Sequence, residues 1–202
     1  DVLKTIKDEE IDYVDMRFTD PRGKLQHVTL IADEVDEDFL DEGFMFDGSS
    51  IQGWKSIDQS DMKLMPDAAT AYVDPFYAEK TLAMFCTVVE PDTGELYDRE
   101  VDAQDASWNT DAEFEMGNMG HRPGLKGGYF PVNPVDAGQD IRSEMLSTMK
   151  RSGMHVDKHH HEVASCQHEL GMIFGSLTSQ GDMLQRYKYI IHNVAHAYGK
   201  SA

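Results

Sequence analysis

The hydrophobic pattern of the chain changes character halfway along. In "YVDMRFTDPRGKLQHVTL", residues 13–30, two runs of strand composition flank Asp20-Pro21-Arg22-Gly23. Proline second and glycine fourth suit a type I turn, so the segment predicts a β-hairpin. Residues 81–90, "TLAMFCTVVE", are continuously apolar enough for a buried strand, and the following "PDTGE" supplies a turn. Between these lies "FMFDGSSIQGWKSIDQSDMKLMPD", residues 44–67, rich in Gly, Ser and Asp. It reads as a long ordered loop, and loops of that length usually carry function. Short strands and turns make the first hundred residues an α+β or all-β unit.

The second half turns helical. Asp136 with Gln139 resembles a capping box, Ile141, Met145 and Met149 follow at four-residue spacing, and Gly153 stops the run, which predicts a helix over 136–151. Two extended segments follow, residues 154–164 and 167–174. Leu184, Tyr187, Ile191, Val194 and Tyr198 then mark one face of a helix that Gly199 can end. His192 and His196 are four apart on it, but without an acidic companion they read as a packed or solvated pair.

The chemistry concentrates in "HHHEVASCQHEL", residues 159–170. A hairpin turning tightly at Ser165-Cys166 sets Glu162 opposite Glu169. Like charges in that relation are destabilising unless something lies between them. A divalent cation reverses the sign, and carboxylate oxygens are what Mg²⁺ and Mn²⁺ select. The register is the weak step, because a one-residue slip would put a histidine opposite a glutamate. By strand parity His160 shares the face of Glu162, while His159 and His161 point the other way. Adjacent strand residues diverge, which disfavours a zinc or nickel site built from all three histidines. A plain solvated polar face remains open, as does a simple Asx turn for Asp47-Gly48-Ser49-Ser50.

Composition narrows the partners. The chain has 202 residues, 40% of them hydrophobic, enough for one large domain or two small ones. Its formal net charge of −19, with no basic stripe, excludes a phosphate backbone as partner, so no nucleic acid is expected. Two cysteines without metal or disulfide spacing suit a reducing, cytoplasmic compartment. No window is apolar enough for a membrane span or signal peptide, so no membrane is expected either.

Four motifs in order, "FDGSSIQGW" (46–54), "GHRPGLKGGYFPVNPVDAGQDIRSEM" (120–145), "HHHEVASCQHELG" (159–171) and "YKYIIHNVAHAYGK" (187–200), resemble bacterial type I glutamine synthetase. "RFTDPRGKLQHVT" and "SDMKLMPD" extend the resemblance through the first half. It implies an α+β fold: a β-grasp-like N-terminal domain over 1–100, then part of a catalytic domain of antiparallel sheet and flanking helices over 101–202. It also implies condensation of glutamate with ammonium through an acyl phosphate made from ATP, with Mg²⁺ or Mn²⁺. Glu162 and Glu169 match two metal ligands, and Glu162 also belongs to the ammonium cage. Tyr129 matches the tyrosine of the ammonium pocket. Asp47 matches the aspartate that reaches a neighbouring subunit's site to bind ammonium and take its proton, and Trp54 the tryptophan beside it. His160 and Phe174 match residues near the ATP phosphates and adenosine. Asp157 stands where the family usually has a nucleotide-contacting glutamate. The implied assembly is a homo-oligomer, a dodecamer of two hexameric rings.

Against that family several dozen residues are expected to be missing between Glu100 and Val101, and a longer segment after Ala202. Glu100–Val101 is then expected to join two pieces of a longer protein. Two other readings stay open, a non-catalytic relative or fragment and a related amine ligase.

Overall fold

The computed structural model describes residues 2–20, 23–51, 55–95 and 127–202. Eight strands form one mixed sheet in the order β3-β4-β6-β1-β2-β7-β8, with β5 pairing β6 off this path. The predicted hairpin is there: β1 (Tyr13–Thr19) pairs antiparallel with β2 (Leu25–Ile31), Tyr13 opposite Ile31 and Thr19 opposite Leu25. Its closure carries a bond from Gly23 N–H to the Asp20 carbonyl at 2.9 Å, with Gly23 at φ 79°, a conformation that glycine adopts without a Cβ clash. The long apolar run is β6 (Thr81–Val89), parallel to β1.

The expectation of a loop over 44–67 needs correction. β3 (Phe44–Asp47) and β4 (Asp61–Pro66) occupy its two ends and pair antiparallel, Asp47 opposite Asp61, and β4 continues onto β6. Met62 and Leu64 alternate into the core, fully buried, and this two-residue period outweighs the turn-rich composition between them. β5 is Tyr72–Asp74. Two short helices, α1 (Val2–Asp8) and α2 (Glu37–Glu42), flank the sheet, and Asp36 caps α2 by accepting from Phe39 N–H at 2.8 Å.

The sheet has two unlike faces because β1 and β2 are buried on both. Val14, Met16, Phe18, Val28 and Leu30 point to one side, the front, and build the first core with Phe46, Met62, Leu64, Leu82 and Met84. Tyr13, Asp15, Arg17, His27 and Thr29 point to the back. β7 (Val156–His161) joins β2 with His159 opposite Thr29 and Lys158 opposite Leu30, so the parity continues across the two halves. α3 (Gln139–Arg151) and α4 (Leu177–Ala197) enclose a second core with Ile141, Met145, Leu146, Met149, Ile190 and Val194.

Both helices differ in detail from the sequence reading. α3 begins at Gln139 with Gly138 as its N-cap and no side-chain cap, so the capping box is not formed. Asp136 is 1% exposed and spends its carboxylate on Gly138 N–H, at 2.9 Å, and on Arg142. α4 starts at Leu177, seven residues before the predicted face, with Ser176 as its cap. Its buried stripe runs through Ile190 and Val194, whereas Leu184 and Tyr198 are exposed, as are His192 and His196. Among the described residues no helix is long and apolar enough to cross a membrane.

Candidate active site

β8 (His168–Met172) pairs with β7, and the front of this hairpin gathers the predicted ligands. The turn lies where expected: Gln167 N–H donates to the Ala164 carbonyl at 3.1 Å across Ser165 and Cys166. The ladder starts two residues deeper, with Glu162 N–H donating to the Gln167 carbonyl at 2.8 Å. Glu169 therefore faces His160, not Glu162 as predicted. An offset of two preserves parity, so both glutamates and His160 still share one face, with the histidine between the acids.

His160 Nδ1 lies 3.8 Å from Glu162 Oε1, and its Nε2 lies 3.5 Å from Glu169 Oε1. One ligand atom from each of the three residues lies within 4.8 Å of the others. Mg²⁺ holds its ligands at about 2.1 Å, so two on opposite sides of one ion are about 4.2 Å apart, a small side-chain adjustment away. The two carboxylates suit Mg²⁺ or Mn²⁺, and an added imidazole nitrogen favours the softer Mn²⁺ of the two. The neighbouring His160 outweighs burial and holds the Glu169 carboxyl below its ordinary range.

Tyr129 reaches this cluster because Gly128 lets the chain lie against the hairpin end. A Cβ at Gly128 would sit 2.5 Å from the Glu162 carbonyl oxygen and 2.9 Å from that of Val163. Phe130 N–H donates to the His161 carbonyl at 3.1 Å, and His27 N–H to the Phe130 carbonyl at 2.6 Å. The Tyr129 ring stacks on Phe130 at 4.0 Å and meets His160 edge-on at 5.5 Å. Burial, then the Glu162 and Asp47 carboxylates, push its hydroxyl well up, so it stays protonated.

Asp47 forms a local turn and also borders the cleft. Its Oδ1 accepts from Ser49 N–H at 2.8 Å and Ser49 Oγ at 2.6 Å, and its Oδ2 from Ser50 Oγ at 2.8 Å, a local turn. The same side chain borders an open cleft of about 390 Å³ together with Tyr129, His160, Glu162 and Glu169 of its own chain. Partial burial pushes its carboxyl up, but the serine bonds win and hold it below the usual range.

Phe44, Phe46 and Phe130 form the apolar wall of the cleft. Asp61 and Lys158 also line it and were missed. Lys158 was findable by parity, since it shares the β7 face of His160 and Glu162; its Nζ lies 5.3 Å from the centroid of the Phe44 ring. The nucleotide residues are not assembled. Phe174 is 97% exposed and Asp157 turns its Oδ1 to Lys158 N–H at 2.8 Å, both away from the cleft lining. His160, expected near phosphates, stands between the carboxylates. Trp54 and the Glu100–Val101 junction lie outside the described residues.

Behind the hairpin, His159 and His161 point away from the cleft, as parity required. Burial and the Arg142 guanidinium hold the His159 ring neutral, well below its ordinary range, and bring His168 down to about 4.

Comparison with known proteins agrees with these features. Residues 10–91 match the family model for the glutamine synthetase β-grasp domain, and residues 88–202 that for the glutamine synthetase catalytic domain. A glutamine synthetase of Cereibacter sphaeroides is 59% identical over 248 residues, covering 100% of this chain and 53% of that protein. One from Rhodobacter capsulatus is 60% identical, covering 98% and 56%, and one from Salmonella typhimurium 43% identical, covering 100% and 53%. The chain thus spans about half the length of the curated relatives it matches. With both family domains matched in order along one continuous sheet, the chain belongs to the glutamine synthetase family.

Proposed function

We propose that this chain is part of an ATP-dependent ligase that joins ammonia to the side-chain carboxylate of L-glutamate. The glutamate oxygen attacks the γ-phosphorus of ATP, giving γ-glutamyl phosphate and ADP. Ammonia then attacks the acyl carbon and phosphate leaves with the C–O bonding pair. A bound Mg²⁺ or Mn²⁺ supplies charge neutralisation between the anionic carboxylate and phosphoryl group. Glu162, Glu169 and His160 are the residues that would hold it.

The chain's own groups divide the remaining work. Asp47 and Glu162 present carboxylates to an ammonium ion, which a buried, protonated Tyr129 hydroxyl orients. Asp47, held ionised by its serines, is the base that takes the departing proton. The phenylalanine wall gives the acyl phosphate an apolar flank on one side of the cleft. The observation that carries this reading is the convergence of Asp47, Tyr129, Glu162 and Glu169 on one cleft. The assembly implied for the whole protein is a homo-oligomer, a dodecamer, working in the cytoplasm, with Trp54 beside Asp47 at the subunit interface and Asp157 and Phe174 toward the nucleotide.

The test is phosphate release from ATP that requires glutamate, ammonium and Mn²⁺ together. Loss of ammonium dependence in Asp47→Asn, with glutamate-dependent phosphorylation kept, is the expected pattern. Equal loss of both steps would remove Asp47 from the ammonium role. A second reading, a non-catalytic relative, draws on Asp157 and Phe174 lying off the cleft. It predicts no ADP binding in the presence of Mn²⁺, measured by calorimetry.

A further inference from the structure

We infer that Arg142, acting from behind the sheet, sets the spacing of the two strands that carry the cation ligands and is a positioning residue for that site. The inference rests on the reading that His160, Glu162 and Glu169 hold a divalent cation.

Arg142 is 0% exposed and projects from α3 toward the back of the hairpin. Its five N–H groups are all used. Nε donates to His159 Nδ1 at 3.2 Å, and Nη1 donates to His168 Nδ1 at 2.8 Å and to Asp136 Oδ1 at 3.0 Å. Nη2 donates to Asp136 Oδ2 and to Gln139 Oε1, the latter at 3.2 Å. One planar group therefore grips β7 through His159 and β8 through His168, and those residues immediately precede His160 and Glu169.

Neighbours along a strand point to opposite faces, so pinning His159 and His168 from behind fixes the backbone from which His160 and Glu169 project in front. Arginine has no acceptor, so both Nδ1 atoms must accept, which fixes the tautomer and ring plane of each histidine. His159 then donates through Nε2 to Ser143 Oγ at 3.0 Å, a second tie between β7 and α3. The guanidinium is itself held by Asp136 and Gln139, so the fork has little freedom to follow the strands apart. A lysine would keep the charge but could not span both rings. Outer partners that orient ligands in this way are typically worth about 10- to 100-fold in metal affinity.

The experiment titrates the chain with Mn²⁺, following the free ion by electron paramagnetic resonance, and compares native with Glu169→Gln, His168→Ala, His168→Gln and Arg142→Lys. His168 is exposed, so its variants are expected to fold even where an Arg142 variant does not. His168→Ala is expected to weaken Mn²⁺ binding about 10-fold, and His168→Gln, whose amide oxygen offers Arg142 an acceptor, to restore it. A folded Arg142→Lys should lose as much as His168→Ala or more. Native affinity in His168→Ala would overturn the inference, and so would a His168→Gln no better than alanine, because the loss would then not run through the guanidinium. If the native chain shows no Mn²⁺ site that Glu169→Gln removes, the cation reading falls and takes this inference with it.

Discussion

The two faces of the β7–β8 hairpin are built from the same residue types and behave in opposite ways. On the front, one histidine stands between two carboxylates at 3.5 and 3.8 Å, and the like charges of the glutamates face an open cleft. On the back, His159, Arg142 and Asp136 are buried with Asp15, His27 and Thr29, and almost every polar atom has a partner. His27 Nδ1 donates to Asp15 Oδ1 at 2.7 Å, while its Nε2, at 3.5 Å from Asp136 Oδ2, is held by charge more than by a hydrogen bond. A satisfied network fixes shape and costs stability when cut. A cluster that faces an open cleft contributes less to shape, and its carboxylates stay accessible to a ligand.

The comparison breaks most sharply at Asp136. Asp136→Ala strands the buried Arg142 charge and should cost about 3–5 kcal/mol, lowering the thermal midpoint by roughly 10 °C or more. Survival of the native melting curve would deny the back face its structural role.

Next comes pH. Although burial opposes it, the Asp15 and Asp136 carboxylates push the His27 imidazole up to about 9. Its folded value is raised, so its contribution is complete below the unfolded value of about 6.5 and fades as pH rises through about 9. The groups around it are Asp15 and Arg17 from β1, Asp136 just before α3 with its partner Arg142 on α3, and His159 from β7. Melting curves from pH 6 to 10 should show native stability falling by roughly 2–3 kcal/mol and His27→Gln staying flat across that window. A variant that tracks the native curve would shift the transition to other groups.

The front should respond far less. Glu169→Gln removes a carboxylate that His160 favours and should cost the cation-free chain only about 0.5 kcal/mol, while abolishing the rise in melting temperature that Mn²⁺ gives the native chain. A loss of several kcal/mol without Mn²⁺ would mean that the carboxylate serves structure first. The smallest effect belongs to neither face. Lys150 Nζ meets Asp33 at 2.8 Å, with side-chain exposures of 45% and 71%, and Lys150→Ala should change stability by about 0.5 kcal/mol or less, vanishing in high salt.

What was legible in the sequence follows the same division. The β1–β2 hairpin, β6, α3 and the later part of α4 could be read because apolar period and turn residues are local signals. The ligand face could be read too, since parity depends only on the strand. The register could not, because it was decided by how residues 162–167 absorb two extra positions. β3 and β4 were hidden by Gly, Ser and Asp between them. The back network was hidden more deeply: Asp15, Arg17, Asp136 and Arg142 look like surface charges in a chain of net charge −19, and nothing local tells a buried ion pair from a solvated one. Asp136 even imitates a helix cap. Only the tertiary partners distinguish these cases.

The two thiols also sit in contrasting places. Burial pushes the Cys86 thiol up to about 12, whereas Cys166 is exposed at the tip of the turn that joins the ligand strands. A maleimide fluorophore at neutral pH will therefore label the tip alone, without mutagenesis, a few residues from Glu169. A change in its emission on adding Mn²⁺ is the expected optical sign of ion occupancy in the unmutated chain.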